Sequence, residues 1–153
     1  MTIAIRPADL DEPATRALAE LHLAGMLAGT PAESVHALDL AGLRDPSVTV
    51  WAARIDDEVA GIGALKVLDA ERGELKSFRT APAHLGRGVA RALLRHIIAE
   101  AGARGMTSLW LETGSDAAFL PARRLYGGEG FVTCAPFDDY RPDPLSTFMT
   151  RAL

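Results

Sequence analysis

A short segment with two glycines carries the clearest chemical signal in the chain. Gly86-Arg87-Gly88 stands between a strand-like segment and the start of the most regular helical pattern. Glycine permits a tight turn and lets an anion approach the backbone without meeting a Cβ atom. The free N–H groups of the first helical turn, at the positive end of the helix dipole, form a ready phosphate site. The segment therefore predicts a binding site for a pyrophosphate.

Two glycines before a helix are a weak signal alone, because the same pair serves an ordinary strand-to-helix connection. The surrounding residues strengthen it. The run Thr80-Ala81-Pro82-Ala83-His84-Leu85-Gly86-Arg87-Gly88-Val89-Ala90 resembles the cofactor-binding motif of the GNAT acetyltransferases, V-x-P-x-x-(R/Q)-G-x-G-x-(G/A). Further along, Arg123-Arg124-Leu125-Tyr126 and Gly130-Phe131 are similar to the tyrosine helix and the Gly-Phe strand of that family. The resemblance extends over nearly the whole chain.

The resemblance implies acetyl-CoA as co-substrate, without a metal, and an α+β fold of the acyl-CoA N-acyltransferase type. In that fold a mixed, mostly antiparallel central sheet carries helices on both faces. The residues that the resemblance assigns to the cofactor are Phe78, Arg79, Thr80, Leu85, Gly86, Arg87, Gly88, Val89, Ala90 and Arg123. Two positions depart from the family pattern. Leu85 stands at the Arg/Gln position and cannot contact a pyrophosphate with its side chain, and Gly127-Gly128 replace the charged or bulky residues that usually follow the tyrosine.

Transfer of an acyl group from a thioester to an amine requires a base for the ammonium proton. An amine with a pKa of about 10.4 is mostly protonated at neutral pH, and a carboxylate can take its proton directly or through water. Glu74, on the strand that leads into the glycine turn, is the first candidate by resemblance to family members with a glutamate base there. Glu112, at the end of the following strand, is the second candidate. The choice between them stays open at this point.

Two other catalytic groups follow from the same chemistry. Tyr126 is assigned by resemblance as the acid that returns a proton to the leaving thiolate, whose thiol has a pKa of about 8.5. The alternative is a half-buried aromatic residue whose hydroxyl only finds a partner. A backbone N–H near Phe78 would stabilise the charge that develops on the carbonyl oxygen.

The loop from Ala135 to Pro144 mixes aromatic and charged side chains, as a pocket for a small polar acceptor requires. Tyr140 and Arg141 are the predicted acceptor contacts, and Arg141 could hold a carboxylate. A turn built from Pro and Asp is the alternative interpretation.

A dinucleotide-binding turn is the competing interpretation of the glycines, since Glu112 follows at roughly the expected distance of about 20 residues. Arg91 occupies the third glycine position, and an antiparallel meander precedes the turn; both argue against it.

The four histidines lack metal-ligand spacing, so they predict no metal site and are interpreted as surface or packing residues: His22, His36, His84 and His96.

Hydrophobic periodicity predicts the elements that must position these residues. Predicted strands cover Thr2–Arg6, Val48–Arg54, Val59–Leu65, Glu74–Thr80, Ser108–Glu112, Gly130–Thr133 and Ser146–Leu153. Predicted helices cover Pro13–Leu27, Glu33–Leu43, the segment from Gly88 to Gly102, and a short stretch from Pro121 through Tyr126. In the third helix, Val89, Leu93, Leu94, Ile97, Ile98 and Ala101 share one face.

Composition narrows the class of protein. A length of 153 residues predicts one domain, residues 1–153. The net charge is −4 with the cations scattered, which predicts no nucleic-acid partner. Cys134 is the only cysteine, which favours a reduced, cytoplasmic protein. No apolar run approaches the roughly 20 residues that span a bilayer, so no membrane is predicted.

The sequence therefore predicts an N-acetyltransferase that passes acetyl from acetyl-CoA to an amine of a small molecule or peptide by direct attack. The alternative is a catalytically weak acyl-CoA-binding sensor, which Leu85 keeps open. Many relatives form pairs, so a homodimer is also open.

Overall fold

A computed structural model describes residues 1–153 and shows one seven-stranded mixed sheet with four helices. The strands are β1 (Ala4–Pro7), β2 (Val48–Ile55), β3 (Glu58–Val67), β4 (Arg72–Thr80), β5 (Ser108–Gly114), β6 (Val132–Cys134) and β7 (Ser146–Ala152). The helices are α1 (Pro13–Gly29), α2 (Leu40–Leu43), α3 (Val89–Ala103) and α4 (Leu120–Gly128). The strand order is β1-β2-β3-β4-β5-β7-β6, and only β4 and β5 run parallel. None of the helices combines the length and apolar composition that a bilayer crossing needs.

The sheet separates two apolar clusters because successive strand residues point to opposite faces. Trp51 and Ala53 of β2 join the larger cluster, which α3 and α4 cover, whereas Val50 and Ala52 join the smaller cluster under α1 and α2. The predicted apolar face of α3 is confirmed: all six of its residues are buried or pack against the larger cluster. The structure thus has helices on both faces of the sheet, as predicted.

The turn between β2 and β3 closes a hairpin, as the predicted antiparallel meander requires. Asp56 and Asp57 both have positive φ, 47° and 68°, and Ile55 pairs with Glu58 across them. Two positive φ values in a two-residue turn match the twist of antiparallel strands.

The predicted second helix, Glu33–Leu43, is wrong over most of its length. Ala32–Ser34 forms a single 3-10 turn, residues 35–39 have no regular structure, and only Leu40–Leu43 is helical. Asp39 explains part of the difference, because its carboxylate accepts the Gly42 N–H at 2.8 Å and so begins a new helix there. Contacts of Ser34 and His36 with distant residues hold the remainder in place.

The strands β4 and β5 separate soon after they meet. Their parallel register covers only Arg72 to Glu74 of β4, opposite Ser108 to Trp110 of β5. Beyond that point β4 continues beside β3, and β5 continues beside β7. A bulge bends β4 further, since Ser77 and Phe78 both lie opposite Gly63, and Ser77 has a φ of 56°. The result is an opening between residues 75–80 and 111–114.

We expect Gly114→Ala to destabilise the fold beside this opening. A Cβ atom at Gly114 would overlap the ring of Phe119, which would have to leave its site. Overpacking of this kind lowers the free energy of unfolding by about 1–3 kcal/mol. Urea denaturation would measure the change.

The matched control is Gly102→Ala in α3, where an added Cβ meets open space. We expect this change to raise the free energy of unfolding by about 0.5–1 kcal/mol, because alanine loses less backbone entropy in a helix. Wild-type stability in Gly114→Ala would contradict the described packing of Phe119.

Candidate active site

A cavity of about 410 Å³ fills the opening between β4 and β5. Eight residues singled out in the sequence line it: Glu74, Phe78, Arg79, Thr80, Leu85, Glu112, Tyr126 and Tyr140. A second cavity of about 550 Å³ lies beside it and shares Glu74, Lys76, His36 and Tyr140. Arg141 lines only the second cavity.

Glu74 is a buried carboxylate held by two donors. Its side chain is 2% exposed, and its Oε2 accepts hydrogen bonds from the Tyr140 hydroxyl at 2.5 Å and from Lys76 Nζ at 3.3 Å. Lys76 Nζ also donates to the Tyr140 hydroxyl at 2.9 Å. Burying a charge is costly unless it is paired and hydrogen-bonded, and here the three side chains satisfy one another. The arrangement keeps a carboxylate between the two cavities.

Tyr140 reaches Glu74 from the loop after β6. Its ring contacts Phe137, Phe148 and His36 at centroid distances of 5.0, 5.6 and 5.1 Å. Burial and the neighbouring Glu74 carboxylate raise the pKa of Tyr140, so its phenol stays protonated and donates to Glu74. The loop predicted as an acceptor pocket is therefore anchored at the site by an aromatic cluster.

Glu112 lies in the same cavity with both oxygens engaged. His36 Nδ1 lies 2.8 and 3.0 Å from them, and Ser146 Oγ donates to Oε2 at 2.8 Å. His36, interpreted from the sequence as a surface or packing residue, is exposed and also lines both cavities and contacts a candidate base. Nearby, Ser34 Oγ donates to Asp143 at 2.6 Å. These two contacts tie the segment after α1 to Glu112 of β5 and to the loop before β7.

Tyr126 enters the cavity from α4. Its ring is buried and meets Phe78 and Phe131 edge to face at 6.3 and 5.8 Å. Burial raises the pKa of the Tyr126 hydroxyl, so it carries its proton throughout the neutral range. The group can therefore act as a proton donor.

Arg79 points toward α1. Its Nε donates to His22 Nδ1 at 3.1 Å, and a Cβ atom at Gly25 would lie 3.1 Å from its Nη2. Burial and the nearby guanidinium lower the pKa of His22 to about 4, so the ring is neutral at pH 7 and accepts this hydrogen bond. His22, interpreted from the sequence as a surface or packing residue, packs against Arg79 and also lines the cavity.

The glycine turn has an open backbone at the start of α3. Gly86 and Gly88 have φ values of 76° and 79°, and an added Cβ at either would meet no atom within 4 Å. Gly88 directly precedes α3, whose first N–H groups have no helical partner. Leu85 is 66% exposed beside the turn. An open, positive-φ backbone at a helix N-terminus is what close approach of a phosphate requires.

Side chains around the turn have other partners. The Val89 side chain packs under the sheet against Gly61, so only the Val89 backbone is available to a ligand. The side chain of Ala90 is a single methyl group. Arg87 Nη1 lies 3.3 Å from Nδ1 of the buried His84, whose Nε2 contacts Glu58 at 2.9 Å. Cofactor contacts of these residues stay predictions.

The guanidinium of Arg123 donates hydrogen bonds to backbone carbonyl groups. Its Nη1 donates to the carbonyls of Gly114 and Asp116 at 2.7 and 3.0 Å, and the residue does not line the cavity. The guanidinium therefore holds the loop between β5 and α4, and a direct contact with the cofactor stays a prediction without geometric support.

The cavity residues that sequence reasoning missed as site members include Lys76, Ser77 and His36. Lys76 carried a usable signal, because it alternates with Glu74 along one strand and must share its face. Ser77 carried none, since nothing local predicts a serine with positive φ. His36 was hidden by the prediction of a helix around it.

Comparison with known proteins agrees with this geometry. The model of the Acetyltransferase (GNAT) family matches residues 15–131. The chain belongs to the GNAT family of acetyltransferases. It is 50% identical to the uncharacterized N-acetyltransferase YedL of Escherichia coli over 97% of this chain and 94% of that protein. It is 54% identical to the uncharacterized N-acetyltransferase YsnE of Bacillus subtilis over 86% and 87%.

Solved structures show the same GNAT fold. One from Klebsiella pneumoniae, described as an acyl-CoA N-acyltransferase, has a TM-score of 0.81 and 27% identity and covers 99% of this chain and 98% of its own. A GNAT acetyltransferase from Elizabethkingia anophelis with acetyl-CoA bound has a TM-score of 0.71 and 22% identity, with 99% and 98% coverage. This protein is thus an acetyltransferase, and the interpretation of its glycines as a dinucleotide-binding turn is wrong. Nothing in the comparisons supports the alternative of an acyl-CoA-binding sensor.

We expect Gly88→Val to abolish the rise in melting temperature that CoA produces by binding the native state. A β-branched residue is strained at a φ of 79°, and its side chain would enter the approach to the turn. Thermal denaturation with and without CoA would measure the loss.

Gly105→Val is the matched control. Gly105 has a φ of 87° and open surroundings but lies after the other end of α3. It should lose similar stability and keep the CoA shift. A CoA shift that survives in Gly88→Val would contradict the phosphate site.

Proposed function

We propose that the chain forms one acetyltransferase domain that transfers the acetyl group of acetyl-CoA to an amine of a small molecule or peptide by direct attack. The observation that carries the proposal is the early separation of β4 and β5. It opens a cavity with carboxylates and a protonated tyrosine on its walls, next to a glycine turn that fits a pyrophosphate.

Acetyl-CoA supplies an acetyl thioester whose carbonyl carbon accepts the amine nitrogen while the carbon–sulfur bond breaks. One edge of β4 faces the opening over residues 75–80. The backbone N–H and C=O groups on this edge have no partner in β5, because the ladder between the two strands ends at Glu74. The bulge at Ser77 and Phe78 turns this edge out of the regular ladder. A backbone N–H here can donate to the carbonyl oxygen as negative charge develops on it.

Glu74 is the better base of the two candidates. Both of its donors bind Oε2, which leaves Oε1 able to take a proton from the attacking amine. Glu112, in contrast, has His36 on both oxygens and Ser146 on one of them. Lys76 and Tyr140 fix the Glu74 carboxylate. Glu112, in contrast, links β5 to the segment after α1 through His36 and to β7 through Ser146.

Tyr126 is the acid in this proposal. It lies across the sheet edge from Glu74, packed on Phe78, and its raised pKa keeps the proton available for the thiolate that leaves. The base and the acid thus act from opposite sides of the opening, as a transfer between two substrates requires.

We expect Glu74→Gln to lower turnover by roughly 10² near pH 7. The loss should shrink as pH rises, because an amine with a pKa of about 10.4 then loses its proton without help. Thiol release from acetyl-CoA with a panel of amines, followed from pH 6.5 to 9.5, would measure both effects.

Glu112→Gln is the matched variant, and we expect it to change the rate without changing the shape of the pH profile. A pH-independent loss in Glu74→Gln, together with a pH-dependent loss in Glu112→Gln, would make Glu112 the base. Urea denaturation of both variants would separate catalytic loss from unfolding.

Tyr126→Phe should keep CoA binding and lower turnover by roughly 10² or more, because the ring stays and the proton donor is removed. Calorimetry with CoA and steady-state thiol release would measure the two quantities. Phe131→Leu trims a neighbouring ring and serves as the packing control. Native turnover in Tyr126→Phe would remove the tyrosine from the mechanism.

A further inference from the structure

The guanidinium of Arg79 has no role in the steps above, yet it lines the cavity between β4 and β5. Its only hydrogen bond runs from Nε to His22, and neither Nη1 nor Nη2 has a protein acceptor. No carboxylate lies within 4.0 Å of it, whereas the other charged side chains of the cavity, Glu74, Lys76 and Glu112, are all paired. A partly buried cation without a counter-ion is costly to the folded state. The cavity therefore holds a positive charge that the protein itself does not balance.

The surroundings of Arg79 fix its orientation. His22 is neutral and holds Nε, and Gly25 of α1 leaves just enough room for the two terminal nitrogens. With Nε occupied, the edge formed by Nη1 and Nη2 remains free. That edge matches the two oxygens of a carboxylate, which arginine binds in a bidentate manner.

Ser77 provides a second, independent observation. Its side chain is 8% exposed and lines the same cavity, and its Oγ has no hydrogen-bond partner. Buried hydroxyl groups are normally satisfied, so an unpartnered one beside a cavity points to a polar group of a ligand. Ser77 lies two residues before Arg79 on β4.

The strand register places Arg79 on the acceptor side of β4. Arg79, Lys76 and Glu74 pair with Ile62, Ala64 and Lys66, which alternate along β3 and therefore share one face. This is the face that α1 covers, and it carries the proposed base. Phe78 lies opposite Gly63 and packs with Tyr126 on the other face, where the leaving thiolate is protonated.

We propose that Arg79 binds the carboxylate of the acceptor, so that the acceptor is an amine that also carries a carboxylate. This inference rests on the proposed function and names its substrate class. Since the glycine turn at the start of α3 is the proposed phosphate site, we assign the anion that Arg79 binds to the acceptor and not to a phosphate of CoA.

The test compares Arg79→Gln with wild type and with Arg124→Gln. Arg124 is exposed on α4 and makes no hydrogen bond or ion pair, so its substitution controls for loss of a positive charge. Arg79→Lys is a further variant that keeps the charge and loses the bidentate edge. Urea denaturation establishes that each variant is folded.

The first arm measures CoA affinity by calorimetry. We expect the Kd of Arg79→Gln to stay within twofold of wild type. A tenfold or greater weakening would assign the guanidinium to a phosphate of CoA and overturn the inference.

The second arm measures thiol release with matched pairs of amines: L-phenylalanine and 2-phenylethylamine, L-methionine and 3-(methylthio)propylamine, and 4-aminobutyrate and propylamine. We expect the acid of at least one pair to have a kcat/KM at least tenfold above that of its partner. Arg79→Gln should remove this advantage through KM and lower the kcat/KM of the acid far more than that of the plain amine, and Arg79→Lys should lie between. Equal values within every pair would overturn the inference while leaving amine acetylation intact.

The third arm does not depend on turnover. The N-acetyl derivatives of the same acids and amines are added to the protein with CoA, and the melting temperature is measured. We expect the acids alone to raise it, and Arg79→Gln to lose the rise. Such a rise without any thiol release would support the carboxylate site and contradict the proposed function, whereas no rise from any acid would overturn the site.

Discussion

The hydrogen-bond ladder between β4 and β5 ends at Glu74 and Trp110 although both strands continue. Each strand keeps its outer neighbour, so the sheet stays intact while its middle divides. An unpaired strand edge is ordinarily exposed to solvent or to other chains. Here the two inner edges face each other across a cavity, and this shared opening brings side chains of β4, β5, α1 and α4 to one place. The remaining features of the site depend on it.

Within the opening, the charges are arranged in pairs that the fold can support. The fold can bury the Glu74 carboxylate to 2% exposure because Lys76 and Tyr140 both donate hydrogen bonds to its Oε2. The same contacts fix the direction of Oε1. Arg79 is the exception, since its only partner is a neutral histidine. Structural stability alone would favour a carboxylate there, so the missing partner is better explained by a ligand than by packing.

Local signals made much of the fold predictable. The antiparallel meander and α3 each follow from residues that are neighbours in the chain, and these predictions are confirmed. The glycine turn has a backbone that suits a phosphate, and its role in binding stays a prediction. The contact between Tyr140 and Glu74 joins residues 66 positions apart, and no local pattern encodes such a pair. The second predicted helix is wrong because its apolar spacing was outweighed by the Asp39 cap and by distant contacts of Ser34 and His36. The error also concealed His36 as a site residue.

The two contacts made by the segment after α1 have a consequence for how relatives with this sheet can diverge. Ser34 with Asp143 and His36 with Glu112 join this segment to the rest of the acceptor side through side chains alone, without a backbone ladder. The proposed acetyl-CoA site, in contrast, is formed by the strands and by the start of α3. Under the proposed function, substitutions in residues 32–39 and 135–145 can alter which acceptor fits, while the sheet, the bulge and the glycine turn keep binding the same acetyl donor.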